Sequence, residues 1–130
     1  MELNKIRIDE NRGEQVIVLK EKGGNRLLPI LIGIMEVTAI KMNISGITPP
    51  RPMTHDLFYT AIKKLGAKID RIVITKLEQN TFFAKLILQI DSRFEEVDAR
   101  PSDSIALAIR AKAPIFVEDQ ILNSVSTNLE

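Results

Sequence analysis

The stretch Asp98-Ala99-Arg100-Pro101-Ser102-Asp103-Ser104-Ile105-Ala106-Leu107-Ala108-Ile109 decides how this chain must fold. Pro101 is suited to the first turn of a helix, and the apolar side chains after it lie on nearly every side of the helical period. A helix that is apolar nearly all round belongs inside a protein. The stretch therefore predicts a buried central helix from residue 102 to about residue 112, with Arg100 and Asp103 at its N-terminus.

Strand and helix patterns on both sides of this stretch indicate the elements that surround it. Apolar and β-branched runs predict strands over residues 4–8, 16–19, 26–32, 72–74, 82–90, 94–97 and 115–117. The nearly continuous apolar run 26–32 is expected to be covered on both faces. Helical spacing predicts two further helices, over residues 34–44 and from Thr54 to Gly66. The second of these is expected to bury one stripe of side chains: Leu57, Ala61, Ile62 and Leu65.

The composition narrows the classes of function. The net charge is +1, so the chain carries no global basic surface of the kind that attracts nucleic acid. No apolar run reaches the ~18 residues that cross a membrane, and the N-terminal residues are strand-like, so we expect a cytoplasmic protein. Cysteine is absent and His55 is the single histidine, which excludes thiolate catalysis and multi-histidine zinc sites within one chain. A bound metal would be a hard cation on carboxylates.

A second Arg-Pro element, Pro50-Arg51-Pro52-Met53-Thr54-His55-Asp56, is constructed like the element at Arg100. Each element has a guanidinium and a carboxylate at the start of a helix, where proline makes the backbone rigid. Such an arrangement suits a polar functional site, and it equally suits ion pairs that lock two helix entries together. The sequence leaves both interpretations open. Glu36, on a mostly apolar helix, also needs a partner or a cavity for its charge.

These elements, in their order along the chain, resemble the bifunctional nuclease domain family. The matching segments are Leu28-Pro29-Ile30-Leu31-Ile32-Gly33, Glu36, Ala39-Ile40, Pro50 to Leu57, Thr81-Phe82-Phe83-Ala84 and Asp98 to Ala108. The resemblance extends from about residue 15 to residue 122, which is nearly the whole chain. It implies a compact mixed-sheet protein that assembles into homo-oligomers, most simply a dimer, and that hydrolyses both DNA and RNA.

Pattern and resemblance together predict an α+β fold. We expect a mixed, curved β-sheet packed around a buried helix in one compact domain. That domain is expected to occupy residues 1–123, and residues 124–130 are expected to form a C-terminal tail.

The resemblance implies a nuclease that cleaves phosphodiester bonds with the help of a metal and without sequence specificity. Arg51 and Arg100 suit bidentate contacts to phosphate, and His55 suits proton transfer. The residues expected to be catalytic are His55, Asp56, Asp98 and Asp103. The residues expected to bind a divalent cation, Mg²⁺ or Mn²⁺, are Glu36 and Asp103. Their spacing matches no established metal-binding signature, so the metal rests on the resemblance alone.

Two other functions fit the same residues. One is a non-enzymatic, oligomeric binding or regulatory module whose Arg-Pro elements are structural, through pairs such as Arg51 with Asp103 or Arg100 with Asp56. The other is a site in which the two arginines bind a small phosphorylated or carboxylated ligand. An aromatic content of 5% favours the module, because few rings are present to stack on bases. A clustered, solvent-open set of Arg51, His55, Asp98 and Asp103 would support a site, whereas burial with mutual pairing would support scaffolding.

Overall fold

The computed structural model describes residues 2–11, 14–79, 81–125 and 127–128. Eight strands and four helices follow one another in these residues. In chain order they are β1 Glu2–Asn11, β2 Glu14–Glu21, β3 Arg26–Ile32, α1 Ile34–Ile44, α2 Thr54–Lys64, β4 Ala67–Glu78, β5 Thr81–Ile90, β6 Arg93–Ala99, α3 Pro101–Ala111, β7 Ile115–Val117, α4 Asp119–Val125 and β8 Thr127–Asn128. Every predicted helix and strand is present, so the α+β class is confirmed.

The strands form one mixed sheet. Its order is β6-β5-β4-β7-β1-β2-β3-β8, so the short β7 lies in the interior of the sheet between β4 and β1. β7 runs parallel to β4, and it runs antiparallel to β1. All the other neighbouring pairs among the described strands are antiparallel. A mixed sheet is what the sequence predicted.

Helix α3 lies at the centre of the fold. It contacts β3, β4 and β5 of the sheet and both α1 and α2 on its other side. β3 and β5 are five strand positions apart, which is about 24 Å in a flat sheet, whereas a helix is only about 10–12 Å wide. Contact of one short helix with both strands indicates that the sheet curves around it. The predicted curved sheet around a buried helix is therefore confirmed.

The ends of α3 explain why it begins and stops where it does. Pro101 occupies the first helical turn after Arg100, whose extended backbone (φ −70°, ψ 144°) precedes the helix. Lys112 adopts a left-handed conformation (φ 57°) that ends the helix. Between these ends the helix is buried through Pro101, Ser102, Ser104, Ile105, Ala106, Leu107 and Ala108. Its apolar side chains belong to the same core as Ile17, Leu19, Leu28, Ile72 and Ile74.

Strand β3 is not covered on both faces, so that prediction was wrong. Leu28 and Ile30 are buried, but Leu31, which points to the other face, is 67% exposed. The second face carries the exposed residues Pro29 and Leu31. The run 26–32 is therefore apolar on both faces although only one face is buried. At Pro29, β3 is paired on one side only, by β2, because β8 pairs only with Arg26 and Leu27 among the described residues. Proline, which has no N–H to donate, is tolerated at such an edge position.

The predicted buried stripe of α2 was wrong at Leu57, Ala61 and Leu65. Leu57 and Leu65 are 62% and 83% exposed, Ala61 is exposed too, and the helix has no fully buried residue. Ile62 does pack against the core as predicted, but beside Tyr59, while His55 reaches α3. Both stripes of this helix are apolar, so helical spacing alone did not distinguish the packed face from the exposed one.

The C-terminal residues of the described chain are folded. The residues after 123 include the last turn of α4 and strand β8, which pairs with β3. The division of the chain at residue 123 stays a prediction.

None of the helices in the described part of the chain is long and apolar enough to cross a membrane. The cytoplasmic location likewise stays a prediction.

Candidate functional site

The two Arg-Pro elements meet at the starts of α2 and α3. His55, in the first turn of α2, lies with its Nε2 atom 2.9 Å from Oδ1 of Asp103, in the first turn of α3. The imidazole N–H donates to the carboxylate in this hydrogen bond. The packing of α2 against α3 brings these side chains together from positions 48 residues apart.

Arg100 joins this pair to a third element. Its Nε atom donates to Oδ2 of Asp103 at 2.9 Å, and its Nη2 atom donates to Oε1 of Glu36, on α1, at 2.6 Å. The two carboxylates raise the pKa of the Arg100 guanidinium above its ordinary value, chiefly through the hydrogen bond to Asp103. We call Glu36, His55, Arg100 and Asp103 the Arg100 cluster.

The carboxylate of Glu36 lies against the backbone at Gly33. A side chain at position 33 would begin 2.7 Å from Oε2 of Glu36, so it would displace this carboxylate from its present position. Gly33 also starts α1, since its carbonyl accepts a hydrogen bond from the Val37 N–H at 3.1 Å. The sequence identified Gly33 only as the end of a strand. Its second role required knowing that Glu36 turns back towards it.

The exposure of the side chains increases across the Arg100 cluster. The Glu36 side chain is 7% exposed and His55 12%, whereas Asp103 is 33% and Arg100 70% exposed. Within the described residues, no hydrogen bond engages Nη1 of Arg100 or Nδ1 of His55. The N–H groups of Arg100 Nη1 and the Nδ1 atom of His55 are therefore not engaged by the carboxylates of the cluster.

Asp56 is adjacent to His55 but takes part in a different set of contacts. Its Oδ2 atom accepts a hydrogen bond from the Met53 N–H at 3.1 Å, which caps the start of α2. Its Oδ1 atom lies 3.2 Å from Nε of Arg110, near the end of α3. Both oxygens thus have structural partners, and a catalytic role for Asp56 stays a prediction. Arg110 was missed, although a charge at the end of an otherwise apolar helix is a usable signal.

Arg51 and Asp98 are not brought into the cluster. Arg51 lies exposed in the loop before α2, and Asp98 lies exposed on β6 opposite Lys85 of β5. Among the described contacts, neither residue bonds to His55, Arg100 or Asp103. The cross-pairs considered from the sequence, Arg51 with Asp103 and Arg100 with Asp56, are not the ones that form. The Arg100 side chain is open to solvent, yet it pairs with Glu36 and Asp103. The arrangement therefore lies between the open site and the fully paired scaffold that the sequence left as alternatives.

The predicted metal ligands do not fit a cation as they are arranged. Nη2 of Arg100 lies 2.6 Å from Glu36 and 2.9 Å from Asp103, so the guanidinium occupies the position between the two carboxylates. In the described part of the chain, no three histidine, aspartate or glutamate side chains lie close enough to hold an ion together. A positively charged group already neutralises the pair that was expected to bind Mg²⁺ or Mn²⁺.

Fold and site together define a class of protein: a small α+β domain with a histidine–aspartate–arginine cluster at the meeting point of two helix N-termini. A sequence model of the bifunctional nuclease domain matches residues 17–130 of the chain. The chain therefore belongs to the bifunctional nuclease domain family, as the resemblance predicted.

Relatives of the chain occur in bacteria and plants. An uncharacterized protein of Mycobacterium tuberculosis is 43% identical over 117 residues, which cover 90% of this chain and 70% of the relative. A protein named bifunctional nuclease 1 from Oryza sativa subsp. indica is 30% identical over 122 residues, covering 89% of this chain and 36% of the relative. Bifunctional nuclease 1 of Arabidopsis thaliana is 31% identical over 112 residues, covering 83% and 34%. The chain thus spans about a third of the length of the plant relatives.

Proposed function

We propose that this chain is a nuclease that hydrolyses phosphodiester bonds in DNA and RNA without sequence specificity. One observation carries the proposal: Asp103 holds both His55, at 2.9 Å, and Arg100, at 2.9 Å, and the Arg100 side chain is 70% exposed. A proton-transferring group and a phosphate-binding group are thus fixed side by side on rigid helix starts. Nuclease names among the plant relatives agree with this chemistry.

In this proposal Arg100 binds the phosphate through its unoccupied Nη1 edge. Since Nε and Nη2 are engaged by Asp103 and Glu36, the two N–H groups of Nη1 are the donors that remain for phosphate oxygens. The contacts to Glu36 and Asp103 fix the orientation of the guanidinium, so little reorganisation is needed as charge develops on the phosphate. Arg100 is therefore the group that stabilises the transition state.

His55 handles the proton. Because its Nε2 atom faces Asp103, the opposite nitrogen, Nδ1, is the one that accepts a proton from the attacking water. The water oxygen forms a bond to phosphorus, and the bond from phosphorus to the leaving oxygen breaks. His55 then returns the proton to that leaving oxygen. Asp103 orients the ring and stabilises its protonated form, as a carboxylate does in other histidine-based sites.

We assign no step to a metal. Glu36 and Asp103 are bridged by Arg100, so Mg²⁺ or Mn²⁺ would have to be held in another way. Asp98 is exposed and outside the cluster, and Asp56 is engaged with Met53 and Arg110. The cation expected from the sequence stays a prediction, and a metal titration decides it.

The test is a cleavage assay on single-stranded and duplex DNA and on RNA, titrated with Mg²⁺ and Mn²⁺ after treatment with EDTA. We expect His55→Ala to lower the cleavage rate by about 10²–10⁴-fold, the usual contribution of a general acid or base. Asp103→Asn should lower it strongly while leaving the melting temperature almost unchanged, because the substitution is isosteric. Asp70→Asn is the matched control, since within the described residues Asp70 pairs only with its neighbour Arg71 on β4.

Two outcomes would contradict the proposal. Equal cleavage by wild type, His55→Ala and Asp103→Asn would show that a contaminant is responsible. No cleavage by wild type under any condition would favour the second candidate, a non-enzymatic binding or regulatory module. The observation that favours this module is the mutual pairing of Glu36, Arg100, Asp103 and His55, which satisfies most of their charges internally.

We further propose that the chain forms homo-oligomers through α2. Leu57 and Leu65 are exposed four residues on either side of Ala61, and Phe58 is exposed beside them. This stripe is symmetric about a small residue, so two copies can pack antiparallel with Leu57 opposite Leu65 and Ala61 at the crossing. Sedimentation of wild type, Leu65→Glu and the control Val97→Glu tests this. A monomeric wild type, or an assembly unaffected by Leu65→Glu, would refute it.

A further inference from the structure

A groove begins beside the exposed guanidinium of Arg100. Its volume is about 570 Å³, within the range of about 300–1,000 Å³ that is typical of small-molecule sites. One wall is the end of β3, from Pro29 to Gly33, and the opposite wall is the start of β5 at Thr81 and Phe82. The start of α3, at Arg100, Pro101 and Ser102, lines it as well. We call it the β3–β5 groove.

The walls of the β3–β5 groove are mostly apolar and accessible. Leu31, which lines the groove, is 67% exposed. Phe82 packs partly against the core, but it also lines the groove. An apolar groove that contains one aromatic ring can hold one flat, apolar-faced group.

Polar groups lie at the α3 side of the groove. Arg100 contributes its guanidinium, which is also part of the Arg100 cluster. Ser102 also lines the groove, and no hydrogen bond within the described residues engages its hydroxyl. This hydroxyl can therefore donate to or accept from the edge of a ligand. The groove therefore combines a cationic entrance, a free hydroxyl and an apolar wall.

We propose that the β3–β5 groove binds one unpaired base of single-stranded nucleic acid, next to a phosphate held by Arg100. This inference rests on the proposed nuclease function. Unpaired bases are recognised by stacking on aromatic side chains and by hydrogen bonds to their edges, which Phe82 and Ser102 provide here. A base inside a duplex cannot enter such a groove. The proposal therefore predicts a preference for single strands.

Binding of two short oligonucleotides tests the groove without relying on cleavage. Both probes carry phosphorothioate linkages that resist hydrolysis; one has bases and the other has abasic sugars at every position. Fluorescence anisotropy should show that wild type binds the probe with bases at least about ten-fold more tightly, the scale of one base stacked on an aromatic ring. Equal affinity of wild type for the two probes, or no binding of either, would overturn the proposal.

Two variants connect the preference to the groove. Phe82→Leu removes the ring but keeps an apolar side chain. Phe94→Leu is its matched control, on β6 opposite Gln89 of β5 and far along β5 from Phe82. Phe82→Leu should reduce the preference to less than about three-fold, and Phe94→Leu should keep it. If Phe82→Leu melts early, Leu31→Thr, at an exposed strand position, replaces it. A preference kept in both groove variants would overturn the proposal.

The two proposals fail in different ways. Cleavage that depends on His55, together with equal binding of both probes, overturns the groove and leaves the nuclease intact. A clear preference for bases without any cleavage overturns the nuclease and leaves the groove intact as a binding site.

Discussion

Arg26 and Arg100 each donate to carboxylates through two nitrogen atoms, Nε and Nη2. They differ in whether the third nitrogen atom, Nη1, has a partner. Arg26 begins β3 and donates from Nε and Nη2 to the two oxygens of Glu21, at 2.9 and 2.6 Å, while its Nη1 atom donates to Asn123 of α4. All three nitrogens of Arg26 are therefore used. Arg100 is clamped by Asp103 and Glu36 through Nε and Nη2, and its Nη1 atom has no partner among the described residues.

The surroundings of the two arginines explain the difference. Glu21 and Arg26 belong to one β-hairpin and are five residues apart, so their pair fixes a local turn. The Arg100 cluster joins α1, α2 and α3, and its arginine side chain is far more exposed, at 70% against 25%. The same residue types thus form a structural lock in one place and an open, oriented cation in the other. The comparison teaches that unused donor atoms, rather than ion pairs as such, indicate a site.

The largest expected effect is on cleavage. The double variant Arg100→Ala/Glu36→Gln should lower the cleavage rate by about 10²–10³-fold, because it removes the phosphate-binding donor without leaving a buried charge. Arg26→Ala/Glu21→Gln should leave the rate unchanged. Initial rates under conditions in which both variants remain folded check this. Equal losses in the two variants would mean that both arginines are structural.

The next effect is on stability. Arg100→Ala alone should destabilise the fold by about 1–3 kcal/mol, because Glu36 is then buried without its partner. Adding Glu36→Gln should recover much of this loss without recovering cleavage. Urea denaturation at neutral pH measures both changes. An Arg100→Ala variant as stable as wild type would show that Glu36 needs no partner.

A smaller effect depends on pH. The hydrogen bond from Arg26 lowers the pKa of Glu21 below its ordinary value, so the pair stabilises the folded state above that value. The stabilisation fades as the pH falls below about 4.3 and through the lowered pKa. Thermal unfolding of wild type and Glu21→Gln from pH 7 to pH 3 should therefore show a difference that shrinks with acidification. A difference that stays constant would argue against this ionic contribution.

The smallest effect is expected next to the cluster. Ser104 follows Asp103, is fully buried, and its hydroxyl has no hydrogen-bond partner among the described residues. Ser104→Ala should change the free energy of unfolding by less than about 1 kcal/mol, and in the stabilising direction, because it removes an unsatisfied polar group. Cleavage should stay at the wild-type rate. A clear loss of stability would mean that the hydroxyl has a partner, such as a bound water.

Much of the fold could be predicted from the sequence. Helix α1 and strands β3 and β7 have the predicted bounds because apolar runs there end at sharp signals such as Gly33 and Pro114. The burial of α3 followed from its apolar surface. For α2 only Ile62 of the predicted stripe packs against the core. Tyr59 is its packed neighbour in place of Leu57 and Leu65, because both sides of this helix are apolar and helical spacing does not distinguish them.

The site could be predicted only in part. The two Arg-Pro elements identified His55, Arg100 and Asp103, and the isolated charge identified Glu36. Which charges pair was not predictable, since the contact from Arg100 to Glu36 joins residues 64 apart and depends on the packing of α1 against α3. Sequence spacing describes neighbours along one element, whereas these contacts arise between elements.

The place of β7 in the sheet has a consequence for how the protein is made. Residues 115–117 lie between β4 and β1, so the two parts of the sheet cannot be joined until this late segment has left the ribosome. Until then the β1–β2 hairpin and the β4–β5 hairpin are separate, each with an unpaired edge. A nascent chain paused before residue 115 is therefore the form most exposed to aggregation.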